Sequence, residues 1–594
     1  MVAFLQQDKT MQTSLNKRVK RHVRNESDVG IVKFYNTSNV KFEGILKQNT
    51  FDFIVQEIDL EENVVQLKDM PFPTTAKDDI VDESSFFNHF QSHEILQQYY
   101  KKEELLTLQN DLQKILQVKS GDLLLKLITD KSHRKSIHSL FKTCNKLYTK
   151  AKDNLIQICY GKESKGGRAV VNWKELGGEY LEFCLIKSNV DTIQAVHEIA
   201  NRSKLQPKFL SYAGTKDKRA CTTQLVRCHR VEYKRLANIP FNFAEDSIKR
   251  IKLCNFRYVD GPLRLGDCFG NRFVVVLRDV KLPNTENENS ELEAVVHDSF
   301  TALKENGFIN YFGMQRFGNS SVGTEALGKL VILQDWKALI NLILDPRVDE
   351  SEQVANARLV YKETKDCEKA YNAFPLHFNA ERSVLSHLKI KPSDYKGAFE
   401  RIPRNLRTMY AHAYQSYIWN SMATKRIEKY GFNIQIGDLV ISHKEDIERN
   451  TRGVKKFRPV VVDESNIVNY SIFDVVLTVP GSDTIFPTNM ESDYLLFLES
   501  EGIDMSNWGA NPQLNISGTY RHLVSKAIDL KWSIHKYIEM EPLHSVFGEE
   551  LVISDDLVGD KYAIKVQVSL KTSNYMTMML REVLSLVDRE ILES

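Results

Sequence analysis

The 594 residues carry 80 Lys and Arg against 78 Asp and Glu, a net charge of +2, with 42% hydrophobic and 10% aromatic side chains. That is apolar material for several packed cores, about four units at ~150 residues each. It excludes a wholesale polycation, so any nucleic-acid-binding face must be a local basic surface offset by acidic ones elsewhere. No apolar run reaches the ~18 residues of a membrane span, and MVAFLQQDKTMQTSLNKRVKRHVR lacks the long apolar segment of a secretory signal. Cys144, Cys159, Cys184, Cys221, Cys228, Cys254, Cys268 and Cys367 form no C-x-x-C pair. They read as reduced, packed thiols of an intracellular protein rather than as zinc ligands.

In chain order, residues 1–28 are polar and basic and are expected to be disordered, with Lys17, Arg18, Lys20, Arg21 and Arg24 clustered as in a nuclear-localisation or nucleic-acid patch. Short alternating strands follow in VGIVKFYN, FEGILKQN and DFIVQEIDL. Residues 86–152 change character to lysine-bearing segments with apolar residues at helical spacing, which predicts a helical insertion between strands. Strands resume at LIQICYG and YLEFCLIK, a helix is predicted in TIQAVHEIANRSK, and FLSYAGTKDKRACTTQLVRCHR reads as strand, turn and strand. After the Gly-punctuated RLGDCFGNRFVVVLRDV, helical pattern dominates 290–345 and a mixed polar stretch runs to 520. KYAIKVQVSLK and YMTMMLREVLSLVDREIL read as a closing strand and helix.

The chain has no G-x-x-x-x-G-K-[ST] loop, no H-E-x-x-H and no G-x-S-x-G, which counts against nucleotide hydrolysis, zinc proteolysis and serine hydrolysis. Three stretches carry chemistry instead. In SYAGTKDKRACTTQ (211–224), Asp217 stands between Lys216 and Lys218 at a turn in which Gly214 allows positive φ or a close approach. Neighbouring cations favour the ionised carboxylate that a nucleophile needs. In GFINYFGMQRFG (307–318), four aromatics stand beside Asn310 and Arg316, a composition suited to stacking and hydrogen-bonding a flipped base. In GILKQNTFDFIVQEI (44–58), Lys47 and Glu57 are the candidate polar groups. Each alone is also what a charged surface turn, an aromatic packing corner or an exposed strand face looks like.

In this order, Lys47 with DFIVQE (52–57), AGTKDK (213–218) and NYFGMQRFG (310–318) resemble the motifs of the TruD family of pseudouridine synthases. The likeness extends to RLG (264–266), GNRFVVVLR (270–278) and LKTSNYMTMMLRE (570–582), and covers about 30–70 and 155–594. It implies an α+β catalytic fold with a mixed, largely antiparallel sheet, an inserted TruD-specific α/β domain and a small helical insertion. The expected segments are a tail over 1–28, catalytic parts over 29–80, 166–335 and 521–594, the helical insertion over 81–165 and the family's inserted domain over 336–520.

The resemblance also implies a reaction. Uridine in RNA becomes pseudouridine without metal or cofactor, with Asp217 as the catalytic aspartate. Attack on the base, attack on the sugar and C2′ deprotonation all remain open. Lys47 matches the basic residue paired with that aspartate, Phe312 the ring that stacks on uracil, and Asn310, Glu57 and Lys216 nucleotide contacts. The implied partners are tRNA, including position 13, and small nuclear, messenger and ribosomal RNA. The implied state is a monomer in nucleus and cytoplasm. Within the insertion, Arg134 and His138 form an R-x-x-x-H pattern flanked by Lys131 and Lys135, similar to a module that binds single-stranded nucleic acid. The competing reading is a non-catalytic RNA-binding protein or RNA chaperone, which has no need of Asp217, Lys47 and Phe312 together. A metal-dependent RNA hydrolase would need clustered His and carboxylates, which the sequence lacks.

Overall fold

The computed structural model describes residues 24–36, 40–67, 83–126, 128–144, 146–152, 155–161, 171, 173–241, 249–283, 289–318, 320–348, 350–441, 447–449, 455–509, 514, 516–537 and 561–585. The basic cluster Lys17–Arg21 and the far end of the expected C-terminal helix lie outside them. The described residues divide into two compact units, one within Met1–Val64, Arg219–Cys221 and Cys268–Ser594, the other within Val65–Lys218 and Thr222–Asp267.

In the first unit, strands Ile528–Tyr537, Lys561–Lys571, Gly270–Lys281 and Phe53–Ile58 lie side by side in that order, with Glu43–Leu46 also on Gly270–Lys281. Every one of these pairings is antiparallel. Phe273 stands opposite Val55 and Val568, and Val275 opposite Phe53 and Val566, so the apolar sides of three remote segments coincide. Together with Val296 and Phe300 they form one core. The alternation read in KYAIKVQVSLK is this register, because a period of two puts Ile564, Val566, Val568 and Leu570 on one buried face. Deep in this unit, Arg278 on the central strand makes a two-pronged bond to Asp52 at 2.8 and 2.7 Å. With both side chains 1% exposed, loss of either partner would strand a buried charge.

The mixed stretch after residue 346 resolves into helices and a second antiparallel sheet. Val460–Val461, Leu439–Val440, Val475–Val479 and Thr519–His522 pair in that order. The 27-residue helix Arg404–Tyr430 buries Tyr414, Ile418, Trp419 and Met422, spaced as one helical face requires. Residues 24–31 are ordered too, although 24–28 read as the end of a disordered tail. Arg24 pairs with Glu325 at 2.5 Å, Glu26–Val29 is a short 3-10 turn, and Glu26 pairs with Arg581 at 2.5 Å. Those ion pairs, absent from any local pattern, hold the segment.

In the second unit, strands Cys221–His229, Tyr180–Ser188 and Arg250–Val259 lie in that order, with Leu210–Tyr212 on the first. Helix Thr192–Arg202, capped by Asp191, buries Ala195, Val196, Ile199 and Ala200. The block expected to be helical has helices Glu83–Ser92, Glu94–Tyr99, Lys102–Val118 and Lys131–Lys142. It also has a three-stranded antiparallel sheet, Asp122–Leu124, Leu155–Tyr160 and Leu147–Lys152, with Leu155–Tyr160 in the middle, and so is α/β rather than helical. It has its own core around Phe86, Phe90, Phe141, Ile156 and Ile158.

Candidate active site

The AGTKDK turn of the second unit is built by side chains from three other elements. Lys187, the penultimate residue of Tyr180–Ser188, is fully buried, and its ammonium donates to the backbone carbonyls of Asp217 at 2.8 Å and Lys216 at 3.3 Å. Thr192, at the start of its helix, accepts the Lys216 N–H at 2.9 Å and donates to Gln224 Oε1 at 2.9 Å. Gln224 Nε2 in turn donates to the Gly214 carbonyl at 3.0 Å. Thr192 and Gln224 are buried, so each unmade bond would carry the full desolvation penalty, about 1–3 kcal/mol. The turn is therefore fixed at Gly214, Lys216 and Asp217 and presents a half-buried Asp217 from a rigid frame. Gly214 itself is a correction to expectation, since its φ is ordinary and an added Cβ would meet nothing within 4 Å. Tethering by Lys187 and Gln224, rather than glycine's freedom, shapes the turn. Lys218 is exposed, and Arg219 donates to the Gln48 carbonyl at 3.5 Å.

In the first unit, the NYFG turn leaves the short pairing of Phe308–Ile309 with Val524–Ser525. Gly307 opens it at φ +75°, where an added Cβ would lie 2.4 Å from the Ser525 carbonyl oxygen, so only glycine fits. Two buried side chains fasten the turn. Asn420 on the long helix accepts the Phe312 N–H at 2.8 Å and donates to the Phe312 carbonyl at 3.0 Å. Arg521 donates to the Asn310 carbonyl (2.7 Å), Asn310 Oδ1 (2.7 Å), the Tyr311 carbonyl (3.2 Å) and the Ser573 carbonyl (2.6 Å). Its guanidinium lies 4.1 Å from the Phe312 ring centroid. Burial pulls the Arg521 pKa down to about 9. The Phe312 ring, 8% exposed, also meets Trp419 edge-on at 5.7 Å.

Asn310 Nδ2 donates to the His522 carbonyl at 3.1 Å, so both ends of its amide are engaged within the chain. Lys47, at φ +58°, is buried with its ammonium 4.2 Å from the centre of Phe53. Glu57 is 1% exposed on Phe53–Ile58, opposite Asn271. Among the described residues, no group of three or more His, Cys, Asp or Glu converges as metal ligands would.

A sequence model of the family described as "tRNA pseudouridine synthase D (TruD)" matches residues 162–583. The chain belongs to the TruD family of pseudouridine synthases. It is 32% identical to multisubstrate pseudouridine synthase 7 of Schizosaccharomyces pombe, over 94% of this chain and 90% of that one. It is likewise 32% identical to the human pseudouridylate synthase 7 homolog, over 95% of this chain and 82% of the other. A crystal structure of a TruD protein from Methanosarcina mazei shares the fold at a TM-score of 0.54 and 21% identity, covering 94% of this chain and 97% of its own. The protein is accordingly an RNA-modifying isomerase of α+β fold, and the family match runs through both fastened turns.

Within this TruD chain the matched motif residues were legible, but the residues that hold them were not. Lys187 reads as an ordinary strand end, and Thr192, Gln224, Asn420 and Arg521 lie 24, 10, 108 and 211 residues from the atoms they bind. The one signal in the sequence is TTQ at 222–224, three consecutive polar residues at the start of a strand, all of them buried. In the insertion, Arg134 Nη1 donates to the carbonyls of Ile128 (2.5 Å) and Thr129 (2.7 Å), and His138 Nδ1 meets Thr149 Oγ1 at 2.6 Å. Both therefore brace the module's own fold, whereas Lys131 and Lys135 are exposed.

Proposed function

We propose that this enzyme converts uridine to pseudouridine in tRNA, including position 13, and in other RNAs such as small nuclear, messenger and ribosomal RNA, with Asp217 as its catalytic carboxylate. The observation that carries the reading is the AGTKDK turn itself, whose backbone is pinned by a buried lysine and a Thr–Gln relay while its aspartate is left half-buried. A structural surface turn has no need of such a frame, whereas a carboxylate that must meet one atom of a nucleoside does. The name "multisubstrate" of the S. pombe relative supports a broad RNA range.

The chemistry is balanced within the substrate. The N1–C1′ bond breaks, the uracil turns, C5 bonds to C1′, the C5 proton leaves to solvent and N1 takes up a proton. No electron acceptor or donor enters, so the chain's own groups have three tasks. Asp217 acts on the base or the sugar, Phe312 stacks on the uracil, and Lys47, Glu57 and Lys216 orient the carboxylate and the nucleotide. Asn310 contributes through the second lone pair of Oδ1 or the second N–H of Nδ2, since one of each is engaged within the chain. Lys131 and Lys135, beside the bracing Arg134 and His138, add phosphate contacts. The protein works as a monomer in nucleus and cytoplasm.

Two measurements test this. Purified protein should release tritium from [5-³H]uridine-labelled tRNA transcripts, and a transcript with cytidine at position 13 should lose one site. Pseudouridine mapping of RNA from cells with and without the protein should show the same site disappear. No release from any transcript, with an unchanged cellular map, would overturn the proposal.

A further inference from the structure

In the first unit the N-terminal segment 26–36 packs against the NYFG turn, and the two share their anchors. Val29 and Ile31, at 0% and 1% exposure, lie in one apolar core with Tyr311, Phe312 and Trp419. Gly30 lets the segment lie directly on the helix Arg404–Tyr430. Its φ is +76°, and an added Cβ would stand 2.7 Å from the Ser421 nitrogen. Beside it, Asn420 Nδ2 donates to the Val29 carbonyl at 3.1 Å and to the Phe312 carbonyl at 3.0 Å, so one amide holds both the segment and the residue that carries the stacking ring.

A second link is a relay of hydroxyls. Thr424, on the same helix, donates its only proton to the Gly30 carbonyl at 2.7 Å. The Tyr311 hydroxyl, 2.7 Å from Thr424 Oγ1, is then the donor of that pair, and it accepts the Lys33 N–H at 3.3 Å. Burial raises the Tyr311 pKa, so the phenol keeps the proton it donates. The relay thus leaves the segment at Lys33, passes through the residue next to Phe312 and returns to the segment at Gly30. Glu582 adds a third link. Its Oε2 accepts the N–H of Tyr35 at 2.9 Å and of Asn36 at 3.3 Å, and its Oε1 accepts the Ile309 N–H at 3.5 Å. Arg581 also fastens the segment, to Glu26 at 2.5 Å and to the Lys33 carbonyl at 2.6 Å. The apolar contacts and Arg581 serve to hold the segment, whereas the links through Asn420, Thr424 and Glu582 each end on Ile309, Tyr311 or Phe312.

We propose that residues 26–36 are a positioning strap of the active site, which sets the Phe312 ring through Asn420 and the Thr424–Tyr311 relay; this rests on the reading that Phe312 stacks on the target uracil. Arg521 holds the turn at Asn310, the Tyr311 carbonyl and Ser573, and the strap holds it at the Phe312 carbonyl and the Tyr311 hydroxyl. A ring that must receive a base in one orientation needs both fixings, because a turn held at one set of atoms alone can rock about them. Thr424 and Tyr311 are positioning residues, acting through Phe312.

The test is a double-mutant cycle between Thr424→Val, which keeps the side chain's shape and removes its hydroxyl, and Phe312→Ala. Thr424→Ser is the conservative variant, and Val384→Ala, in the other apolar core of the same unit, is the control for lost packing. Single-turnover tritium release and RNA affinity are measured on each. The ¹⁹F resonance of 5-fluorotryptophan at Trp419, assigned with Trp419→Phe, reports on the turn, because this ring meets Tyr311 edge-on at 6.4 Å and Phe312 at 5.7 Å. Thr424→Val should lower the single-turnover rate about tenfold, inside the range that one base stack is worth, with RNA affinity within about twofold. Thr424→Ser should restore the rate to within about twofold of wild type, and in the Phe312→Ala background Thr424→Val should change it by less than about twofold. The Trp419 signal should move in Thr424→Val and not in Val384→Ala. An equal rate loss in both Phe312 backgrounds, the same loss in Val384→Ala, or an unmoved Trp419 signal would each overturn the strap. If Thr424→Val does not fold, Tyr311→Phe opens the same relay from the turn and is read in the same way. A Phe312→Ala protein that converts uridine as fast as wild type would fail the stacking reading, while the Trp419 signal, which needs no turnover, would still decide whether the strap sets the turn.

Discussion

Arg521 is the buried link between the NYFG turn and the C-terminal strand–helix, and replacing it should separate catalytic positioning from folding. Its guanidinium makes four hydrogen bonds, three of them to Asn310 and Tyr311 and one to Ser573, and backs Phe312 at 4.1 Å. Met in its place fills comparable volume but leaves three buried acceptors and the part-buried Ser573 carbonyl without that donor, and the ring without its support. If the damage is confined to the stacking ring, the loss is bounded by the worth of one base stack, ~1–3 kcal/mol, roughly five- to 150-fold in kcat/KM. Lys restores the charge but not the planar fork, and so recovers only part of it. Tritium release on a tRNA transcript gives kcat/KM, and thermal unfolding in the same buffer reports whether the variant is folded. A folded Arg521→Met protein with kcat/KM within twofold of wild type would refute the positioning role.

Other consequences are equally direct. Lys187→Met should lower single-turnover conversion at least tenfold with RNA affinity nearly unchanged, because it unpins the carbonyls of Lys216 and Asp217; equal conversion would release Lys187 from that role. Lys131→Glu/Lys135→Glu should weaken RNA binding and flatten its salt dependence while conversion at saturating enzyme survives; unchanged affinity and slope would leave the module without an RNA contact at these two positions. Arg134 is omitted from that variant because it braces Ile128 and Thr129. Burial lowers the pKa of both His412 and His522 below 6.5. The stability tied to their neutral form is therefore full above pH 6.5 and is lost as pH falls through that value, since the unfolded chain takes up protons that the fold refuses. The drop in unfolding temperature between pH 7.5 and 5.5 should be smaller in His412→Gln/His522→Gln than in wild type, and an equal drop would show that other groups carry it.

The chemistry of this chain was legible where it is contiguous. AGTKDK and NYFGMQRFG each present their reactive and stacking groups within a few residues, and the period-two pattern of Lys561–Lys571 identifies a strand with one buried face. What holds those groups was hidden by distance, since hydrogen bonds such as Arg521 to Asn310 span 211 residues and follow no period. The insertion misled for a different reason. Lysines on KLYTKAK dilute the alternation of a half-exposed strand, so of the three-stranded sheet only Leu155–Tyr160 was legible, as LIQICYG, while Leu147–Lys152 and Asp122–Leu124 were absorbed into their helical neighbours. The polar stretch beyond residue 346 hid the helix Arg404–Tyr430, whose buried Asn420 and Arg426 interrupt the apolar face because they bind Phe312 and Asp438.

The measurement that tests the central claim most directly is conversion of uridine by Asp217→Asn, read by tritium release under single turnover, beside RNA affinity measured on the same preparation. The amide keeps the shape of the side chain and leaves the backbone bonds from Lys187 in place, so the change is confined to the lost charge and one acceptor oxygen exchanged for an N–H donor. The account predicts no detectable conversion with RNA affinity within about twofold of wild type. Conversion retained within tenfold, a barrier change of only ~1.4 kcal/mol, would contradict Asp217 as the catalytic carboxylate.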